Sequence, residues 1–407
     1  MSYSNTLKKT YDLASRGILL GLDRVDRAAR ALGSPQESLT VAQIAGTNGK
    51  GSVACLIDHA ARSAGLTVGL FTSPHLHRFS QRIMIDGREV PTESLGETLE
   101  RVLALTEGSG GIPLTFFEVA TLAALEMFAR ANVDLAVMEV GLGGRLDATS
   151  ITDPSVCAVT SIGMDHTAVL GDTIRQIATE KASIARPGVP LFCGPLTGDA
   201  LDEVVRITSE RGAPLHVCGK DFHMSDDLRV PWPGRHQREN AALAAAVFAQ
   251  LGIVDPRMNR RTFADALPSA RWPGRFEILE GKPRFILDSA HNTEAVDALL
   301  DALRERGERP DVIIFGAASD KPVDTMLDRF SSICEQMILA PPPIPRAFDH
   351  EAFATRRKAP AAPDVGTALN MAKDTGGATI LVTGSLFTVG EARRILLGEH
   401  CDPPIRM

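Results

Sequence analysis

The chain has 407 residues, 44% of them hydrophobic, and a formal net charge of −7, which is typical of a globular protein. This length predicts two domains, and the negative charge excludes a broad basic surface for nucleic acid or an anionic membrane. An anionic substrate would therefore need local positive charge. The six cysteines form no C-x-x-C pair, which argues against a zinc site or a disulfide framework and predicts buried reduced thiols.

The first elements give no sign of export or membrane insertion. The segment before Gly17 lacks the apolar core of a signal peptide, and the richest apolar run, 241–254, is too short to span a bilayer. We therefore expect a cytoplasmic protein. We also expect a monomer that acts on small molecules, without nucleic-acid or membrane partners. Residues 6–32 are predicted to form two helices that stop at Gly33.

A short apolar run then leads into a glycine-rich turn, and a helical pattern over 50–63 follows directly. Glycines let backbone N–H groups approach phosphate oxygens, and the positive end of a new helix favours an anion. A lysine in the turn would contact the terminal phosphates, and a hydroxyl would bind Mg²⁺. The generic pattern is imperfect, because Ile44 replaces a glycine and Gly51 separates the lysine from the hydroxyl, so a plain glycine turn is the alternative. The loop comprises Gly46, Thr47, Asn48, Gly49, Lys50, Gly51 and Ser52.

Two candidate substrate or metal contacts follow. A strand over 66–71 delivers Ser73, which position alone explains equally well as a ligand or as part of a turn. Residues 81–90 alternate and contain an Asp-Gly turn, which predicts a hairpin. On residue type alone, Arg82 in this hairpin is expected in solvent.

A helix over 115–131 is predicted to start with a capping box between Thr115 and Glu118. Phe116 in its first turn is either a core residue or a flat surface for a planar ring. The next apolar run, 134–140, reads as a buried parallel strand. It ends in Glu139, whose carboxylate needs either a salt bridge or a bound cation.

Two more candidates precede the second domain. A strand over 156–162 leads to His166, and a helix over 174–184 carries Lys181, which by pattern alone is a surface lysine. Asn240 precedes an alanine-rich helix and on its own reads as a helix cap. Proline, glycine and tryptophan around Arg275 interrupt the helical pattern and mark a domain boundary.

The remainder alternates strands and helices, which predicts a second mainly parallel sheet with strands near 284–287, 312–315, 336–339 and 379–383. The first of these strands ends in Asp288 and His291, and the last in Ser385. Helix capping is the plain alternative at both places, more so for Ser385.

Ten short strings, in order along the chain, resemble those of the Mur ligase superfamily and, within it, the folylpolyglutamate synthase/dihydrofolate synthase family. One of them, H-Q-R-E-N-A (236–241), contains Asn240. The resemblance extends from Gly21 to about Arg394. The other nine strings are G-T-N-G-K-G-S (46–52), T-S-P-H-L (72–76), T-F-F-E (115–118), E-V-G-L-G-G-R-L-D-A-T (139–149), M-D-H (164–166), E-K-A (180–182), W-P-G-R-F (272–276), D-S-A-H-N (288–292) and T-G-S-L (383–386).

The resemblance implies an α/β fold with a Mur-ligase-like P-loop ATPase domain at 1–272 and a smaller Rossmann-like domain at 273–407, which close on each other during the reaction. It also implies ATP and two magnesium ions. The nucleotide would be bound by the loop 46–52, Asn240, Arg275 and Asp288, and the metals by Ser52, Ser73, Glu139, His166 and a carbamoylated Lys181. The substrates would contact Arg82, Phe116, His291 and Ser385, and the residues with a part in catalysis would be Lys50, His166, Lys181, Asp288 and His291.

The implied reaction joins L-glutamate to a pteroate or folate carboxylate through an acyl phosphate. Whether the acceptor is dihydropteroate, a tetrahydrofolate (poly)glutamate or both stays open. The alternatives are a Mur-type ligase for another carboxylate, a non-catalytic nucleotide-binding regulator, and a small-molecule kinase.

Overall fold

The computed structural model describes residues 2–402 of the chain. They divide into two compact units, each with its own sheet. The larger unit comprises residues 2–75, Phe79–Pro231 and Gln237–Arg271, and the smaller unit comprises Leu76–Arg78, Trp232–His236 and 272–402. Two mainly parallel sheets, each combined with helices, confirm the predicted α/β fold class.

The larger unit contains an eight-stranded sheet. Its strands are β1 (Val41–Ala45), β2 (Val68–Phe71), β3 (Ile83–Ile85), β4 (Arg88–Glu89), β5 (Leu135–Glu139), β6 (Pro154–Val159), β7 (Leu191–Cys193) and β8 (Leu215–Val217). They lie in the order β4-β3-β2-β5-β1-β6-β7-β8, and only the β2–β3 and β3–β4 pairs are antiparallel. The predicted hairpin is confirmed as β3–β4, with Asp86 and Gly87 at positive φ in its turn.

The helices up to Arg271 follow the hydrophobic patterns, since their buried residues lie on core-facing sides. They are α1 (Tyr3–Asp12), α2 (Asp23–Ala31), α3 (Lys50–Ser63), α4 (Thr92–Ala104), α5 (Phe116–Ala131), α6 (Thr167–Leu170), α7 (Ile174–Ala182), α8 (Gly198–Arg211), α9 (Arg235–Leu251) and α10 (Arg260–Ala266). The predicted bounds of α3 are confirmed, as is the capping box that starts α5. No helix among residues 2–402 is long and apolar enough to cross a membrane.

The register of the parallel strands brings four strand ends to one edge of this sheet. Ile44 of β1 lies opposite Glu139 of β5, and Ala45 lies opposite Val159 of β6. On the far side of β5, Phe71 of β2 pairs with Met138. The segments that leave β2, β5, β1 and β6 therefore start side by side, where ligands bind in open α/β sheets.

The smaller unit contains a five-stranded sheet in the order β12-β11-β13-β10-β9, in which only β9 is antiparallel to its neighbour. Alternate strand residues fill two separate cores, one on each face: Ile286 belongs to the first and Leu287 to the second. The elements are β9 (Glu277–Leu279), β10 (Arg284–Leu287), α11 (Thr293–Arg306), β11 (Val312–Phe315), α12 (Val323–Ser331), β12 (Met337–Leu339), α13 (His350–Arg357), α14 (Val365–Asp374), β13 (Thr379–Thr383) and α15 (Leu386–Leu397).

All six cysteines are free thiols, as predicted. Five are buried, but Cys401 is exposed, so the prediction of burial is wrong for that residue. It follows α15 and lies outside both cores of the smaller unit.

Candidate active site

The loop Gly46–Ser52 connects β1 to α3 at the shared sheet edge. Gly46 has φ 146°, and a Cβ there would lie 1.9 Å from Thr160 Oγ1. Gly49 has φ 92°, and its Cβ would lie 2.5 Å from Asn240 Oδ1. Both positions therefore require glycine for backbone conformation and for space, which is how a loop brings its main chain close to other groups.

Residues that leave β6 hold this loop in place. Asn48 N donates to Ser161 Oγ at 2.9 Å, and Thr160 Oγ1 donates to Asn48 O at 2.6 Å. Thr47 N donates to Ser161 O at 2.8 Å, and Gly163 N donates to Thr47 Oγ1 at 3.0 Å. The main chain of the loop is thus fixed before any ligand binds, which is the preorganisation that anion binding requires.

Two lysines converge on one carbonyl of the loop. Lys50 Nζ donates to Gly46 O at 3.1 Å and to Thr47 O at 3.2 Å. Lys181 Nζ, from α7, donates to the same Gly46 O at 2.8 Å. Lys181 is only 4% exposed, so its interpretation as a surface helical lysine is wrong: the face of α7 that carries it packs toward the loop.

The environment of Lys181 favours its neutral form. Burial and, after it, the nearby charge of Lys50 lower the pKa of its ammonium from 10.5 to about 7, against the opposing effects of Asp165 and Asp147. A neutral amine is a nucleophile, so this lysine can react near neutral pH where an exposed one would stay protonated.

Oxygen ligands for a hard cation lie beside the loop. Ser52 Oγ is buried and has no hydrogen-bond partner, and a buried hydroxyl without a partner is costly. Glu139, 4% exposed, accepts a hydrogen bond from Ser73 N at 3.0 Å, which brings the ends of β5 and β2 together. Among residues 2–402, no three His, Cys, Asp or Glu side chains are grouped to hold a metal. One carboxylate with hydroxyls suits Mg²⁺, which keeps several waters and substrate phosphates as ligands.

His166 is the N-cap residue of α6 and adopts a left-handed backbone conformation with φ 51°. Its side chain is exposed. Its backbone N–H donates to Asp165 Oδ1 at 2.9 Å. Because Asp165 acts electrostatically on Lys181, the M-D-H segment lies near that lysine.

Asn240 lies within α9, which begins at Arg235, so its interpretation as a cap before the helix is wrong. Its Nδ2 donates to Gln237 Oε1 at 3.1 Å, one turn earlier on the same face. Its Oδ1 lies against Gly49. Asn240 therefore contacts the phosphate-loop region by its position on a helix face.

Arg82 is 3% exposed, so the expectation of a solvated hairpin arginine is wrong. It ends a short 3₁₀ turn before β3. Its guanidinium lies over the ring of Phe116 at 5.1 Å, and its Nε donates to His75 Nδ1 at 2.8 Å. Phe116, 8% exposed, also packs on Tyr11 and Phe79. Phe116 is therefore part of a packed aromatic cluster.

The smaller unit places its predicted site residues around the end of β10 and the start of α15. Asp288 accepts from Phe276 N at 2.9 Å and from Ala290 N at 3.0 Å, and His291 Nδ1 donates to Ser289 O at 3.0 Å. Arg275 is half-buried in the turn before Phe276. Ser385 caps α15 by accepting from Phe387 N at 3.0 Å, which confirms its capping role.

Three residues with evident roles in this geometry were not among the predicted ones: Thr160, Ser161 and His75. All three are polar residues that follow a strand at the shared edge. Their position after a strand could have marked them as site residues. The loop that each side chain contacts, however, depends on the order of the strands in the sheet, which the sequence pattern does not give.

Comparison with known proteins gives a consistent result. Residues 44–189 match the family described as Mur ligase, middle domain, and residues 274–386 match Mur ligase, glutamate ligase domain. The chain is 33% identical to a folylpolyglutamate synthase of Lacticaseibacillus casei, over 92% of this chain and 94% of that protein. It is 35% identical to a probable bifunctional folylpolyglutamate synthase/dihydropteroate synthase of Haloferax volcanii, over 97% of this chain. The chain spans about half the length (50%) of that relative.

The fold also matches solved structures. The Escherichia coli protein FolC in complex with DHPP and ADP superposes with a TM-score of 0.89 at 31% sequence identity, and the match covers 97% of this chain and 98% of that one. The similarity thus includes both units.

Proposed function

Because the chain belongs to the folylpolyglutamate synthase/dihydrofolate synthase family, we propose that it is an ATP-dependent ligase that joins L-glutamate to dihydropteroate, to tetrahydrofolate (poly)glutamates, or to both. The observation that carries this proposal is the convergence of Lys50 and Lys181 on Gly46 O, inside a loop whose main chain is already fixed. A carboxylate and a triphosphate repel each other, and clustered cationic groups offset that repulsion.

ATP phosphates would be bound by backbone N–H groups of 46–52 and by Lys50, which can turn from the carbonyls it now contacts. Asn240 lies against this loop and is our candidate contact for the base. In the smaller unit, we assign nucleotide contacts to Arg275 and Asp288 and glutamate contacts to His291 and Ser385.

The residues present fit magnesium. Ser52, whose buried hydroxyl has no other partner, would hold one ion together with Ser73 and Glu139. A second ion would be held by His166 and by the carbamate that Lys181 forms when its neutral amine takes up carbon dioxide. When bound, the ions offset the charge of the phosphates and the incoming carboxylate.

The chain's own groups then position the reactants. Lys50 stabilises charge on the γ-phosphate while the pteroate or folate carboxylate attacks phosphorus and ADP leaves, giving an acyl phosphate. The neutral amine of glutamate attacks the acyl carbon, the C–O bond to phosphate breaks, and phosphate departs with the proton that the nitrogen loses as the amide forms. No covalent bond to the protein is needed, so catalysis depends on positioning. Arg82 and Phe116 are the residues we assign to the pteroate or folate.

The test is release of inorganic phosphate from ATP with dihydropteroate and tetrahydrofolate offered separately. We expect release only when both L-glutamate and one of these acceptors are present, in equal amount to the amide product. Release without glutamate would favour a simple ATPase, and a stable phosphorylated acceptor would favour a kinase. Activity with a different carboxylate substrate, but with neither dihydropteroate nor tetrahydrofolate, would favour a Mur-type ligase.

A further inference from the structure

Arg82 is a buried cation that has no carboxylate in direct contact with it. It is 3% exposed, and no carboxylate of residues 2–402 lies within ion-pair distance of its guanidinium. Burial lowers the pKa of Arg82 from 12.5 to about 10, against the opposing effects of Tyr11 and Glu139. Burying a charge without a partner is costly, so this arrangement is typical of a group that receives its anion from a ligand.

Two contacts determine how the guanidinium is oriented. Its Cζ lies over the ring of Phe116, 5.1 Å from the ring centroid. His75 Nδ1 accepts the hydrogen bond from Nε at 2.8 Å, which restricts rotation of the guanidinium. Guanidinium presents five N–H donors in a rigid fork, so when Nε is bound, the two Nη groups point in a defined direction.

His75 is itself held in place. It is 8% exposed, and its ring packs on Tyr11 and Phe79, each with centroids 6.3 Å apart. It follows Ser73 by two residues, so it links the end of β2 to the segment that starts β3. Because its Nδ1 accepts, the histidine is neutral and carries its one proton on Nε2, so it places no second positive charge beside Arg82.

We propose that His75 is a positioning residue: its Nδ1 holds Arg82 in the orientation in which the Nη groups bind the carboxylate of the pteroate or folate substrate. This inference rests on the proposed function, since it names the substrate that Arg82 receives. A bidentate carboxylate contact depends on the angle of the fork, so loss of the Nε acceptor weakens substrate binding although Arg82 is intact.

Two substitutions separate the acceptor from the ring. His75→Phe keeps a ring against Tyr11 and Phe79 but removes the acceptor. His75→Asn places an amide oxygen near the position of Nδ1. We expect His75→Phe to raise the KM for dihydropteroate about tenfold, with the KM values for ATP and glutamate nearly unchanged, because one charge-assisted hydrogen bond is lost. His75→Asn should restore most of the KM.

A second measurement reports on Arg82 without turnover. In ¹⁵N-arginine-labelled full-length protein, the Nε–H of Arg82 should give a signal protected from exchange, present in wild type and His75→Asn and lost in His75→Phe. Equal KM values for dihydropteroate in wild type and His75→Phe, despite loss of that signal, would overturn the inference, as would a rise in the KM for glutamate instead. If His75→Phe and His75→Asn raised the KM for dihydropteroate equally, the hydrogen-bond acceptor would not be the cause, and the inference would also be overturned. A wild type that retains the signal but turns over neither dihydropteroate nor tetrahydrofolate would refute the proposed function, and the inference with it.

Discussion

Lys50 and Lys181 donate hydrogen bonds to the same oxygen, Gly46 O, at 3.1 and 2.8 Å. Two ammonium groups at one carbonyl repel each other, and burial together with the charge of Lys50 lowers the pKa of Lys181. The pair therefore combines a lysine placed to contact phosphate with an amine, that of Lys181, that is partly neutral near pH 7.

Replacing Lys50 by methionine should lower ATP turnover by at least about a hundredfold, because the transferred phosphoryl group loses its cationic contact. The measurement is kcat for glutamate-dependent phosphate release. Lys220→Met, at an exposed position, is the matched control and should retain activity. Full activity of Lys50→Met would show that the lysine does not act on the phosphates.

Lys181 makes stability depend on pH in a defined window. Below about pH 7 the ammonium is charged in both the folded and the unfolded state, so wild type bears the whole penalty of burying it. Between about 7 and 10.5 the folded state loses its proton first, so the unfolded state binds more protons and stability rises with pH.

Relative to Lys181→Met, wild type should therefore gain free energy of unfolding across that window, with a slope of up to about 1.4 kcal/mol per pH unit. Urea denaturation in buffers free of carbon dioxide measures this difference. A difference that stays constant from pH 6 to pH 10 would contradict a neutral Lys181. Adding bicarbonate should reduce the slope, since a carbamate no longer titrates as an amine.

Ser161→Ala tests whether the residues that follow β6 hold the loop Gly46–Ser52 in place. Asn48 N–H and O then lose a hydroxyl partner, and the loop keeps its sequence but not its fixed main chain. We expect ADP affinity to fall about tenfold, as for loss of one or two buried hydrogen bonds. Isothermal titration calorimetry measures the affinity, with the exposed Ser209→Ala as the control. Unchanged affinity would show that the loop does not need this contact.

Alanine substitutions at two glycines distinguish the effect of backbone strain from the effect of a steric clash. Gly188 has φ 73° with nothing within 4 Å of an added Cβ, whereas Gly49 has φ 92° and meets Asn240 Oδ1 at 2.5 Å. Both alanine variants should lose about 1 kcal/mol of stability from the left-handed conformation. Only Gly49→Ala should also lose nucleotide affinity. If both variants bound ADP equally well, the contact between α9 and the loop would not contribute to nucleotide binding.

Local signals predicted much of the structure correctly. The bounds of α3, the capping box at Thr115 and the β3–β4 turn follow from residue types within a few positions of one another. The buried run that ends in Glu139 identified a strand end with a carboxylate. These features depend on local chemistry, which is why the sequence alone sufficed.

The errors concern contacts made across the chain. Lys181, Arg82 and Asn240 were expected on the surface or at a cap because of their residue types and their places in the local pattern. Their burial or placement depends on which face of α7, the 3₁₀ turn or α9 packs against the sheet edge. Ser161 was missed for the same reason, since its partner, Asn48, lies 113 residues away.

Oxygen transfer tests the central claim most directly, since an acyl phosphate necessarily moves one carboxylate oxygen to phosphate. Dihydropteroate labelled with ¹⁸O in its carboxylate would be turned over with ATP and L-glutamate, and the released phosphate analysed by ³¹P NMR. The proposed chemistry predicts one ¹⁸O atom in each phosphate and one in each amide product. Unlabelled phosphate formed together with amide would contradict activation of the carboxylate by ATP.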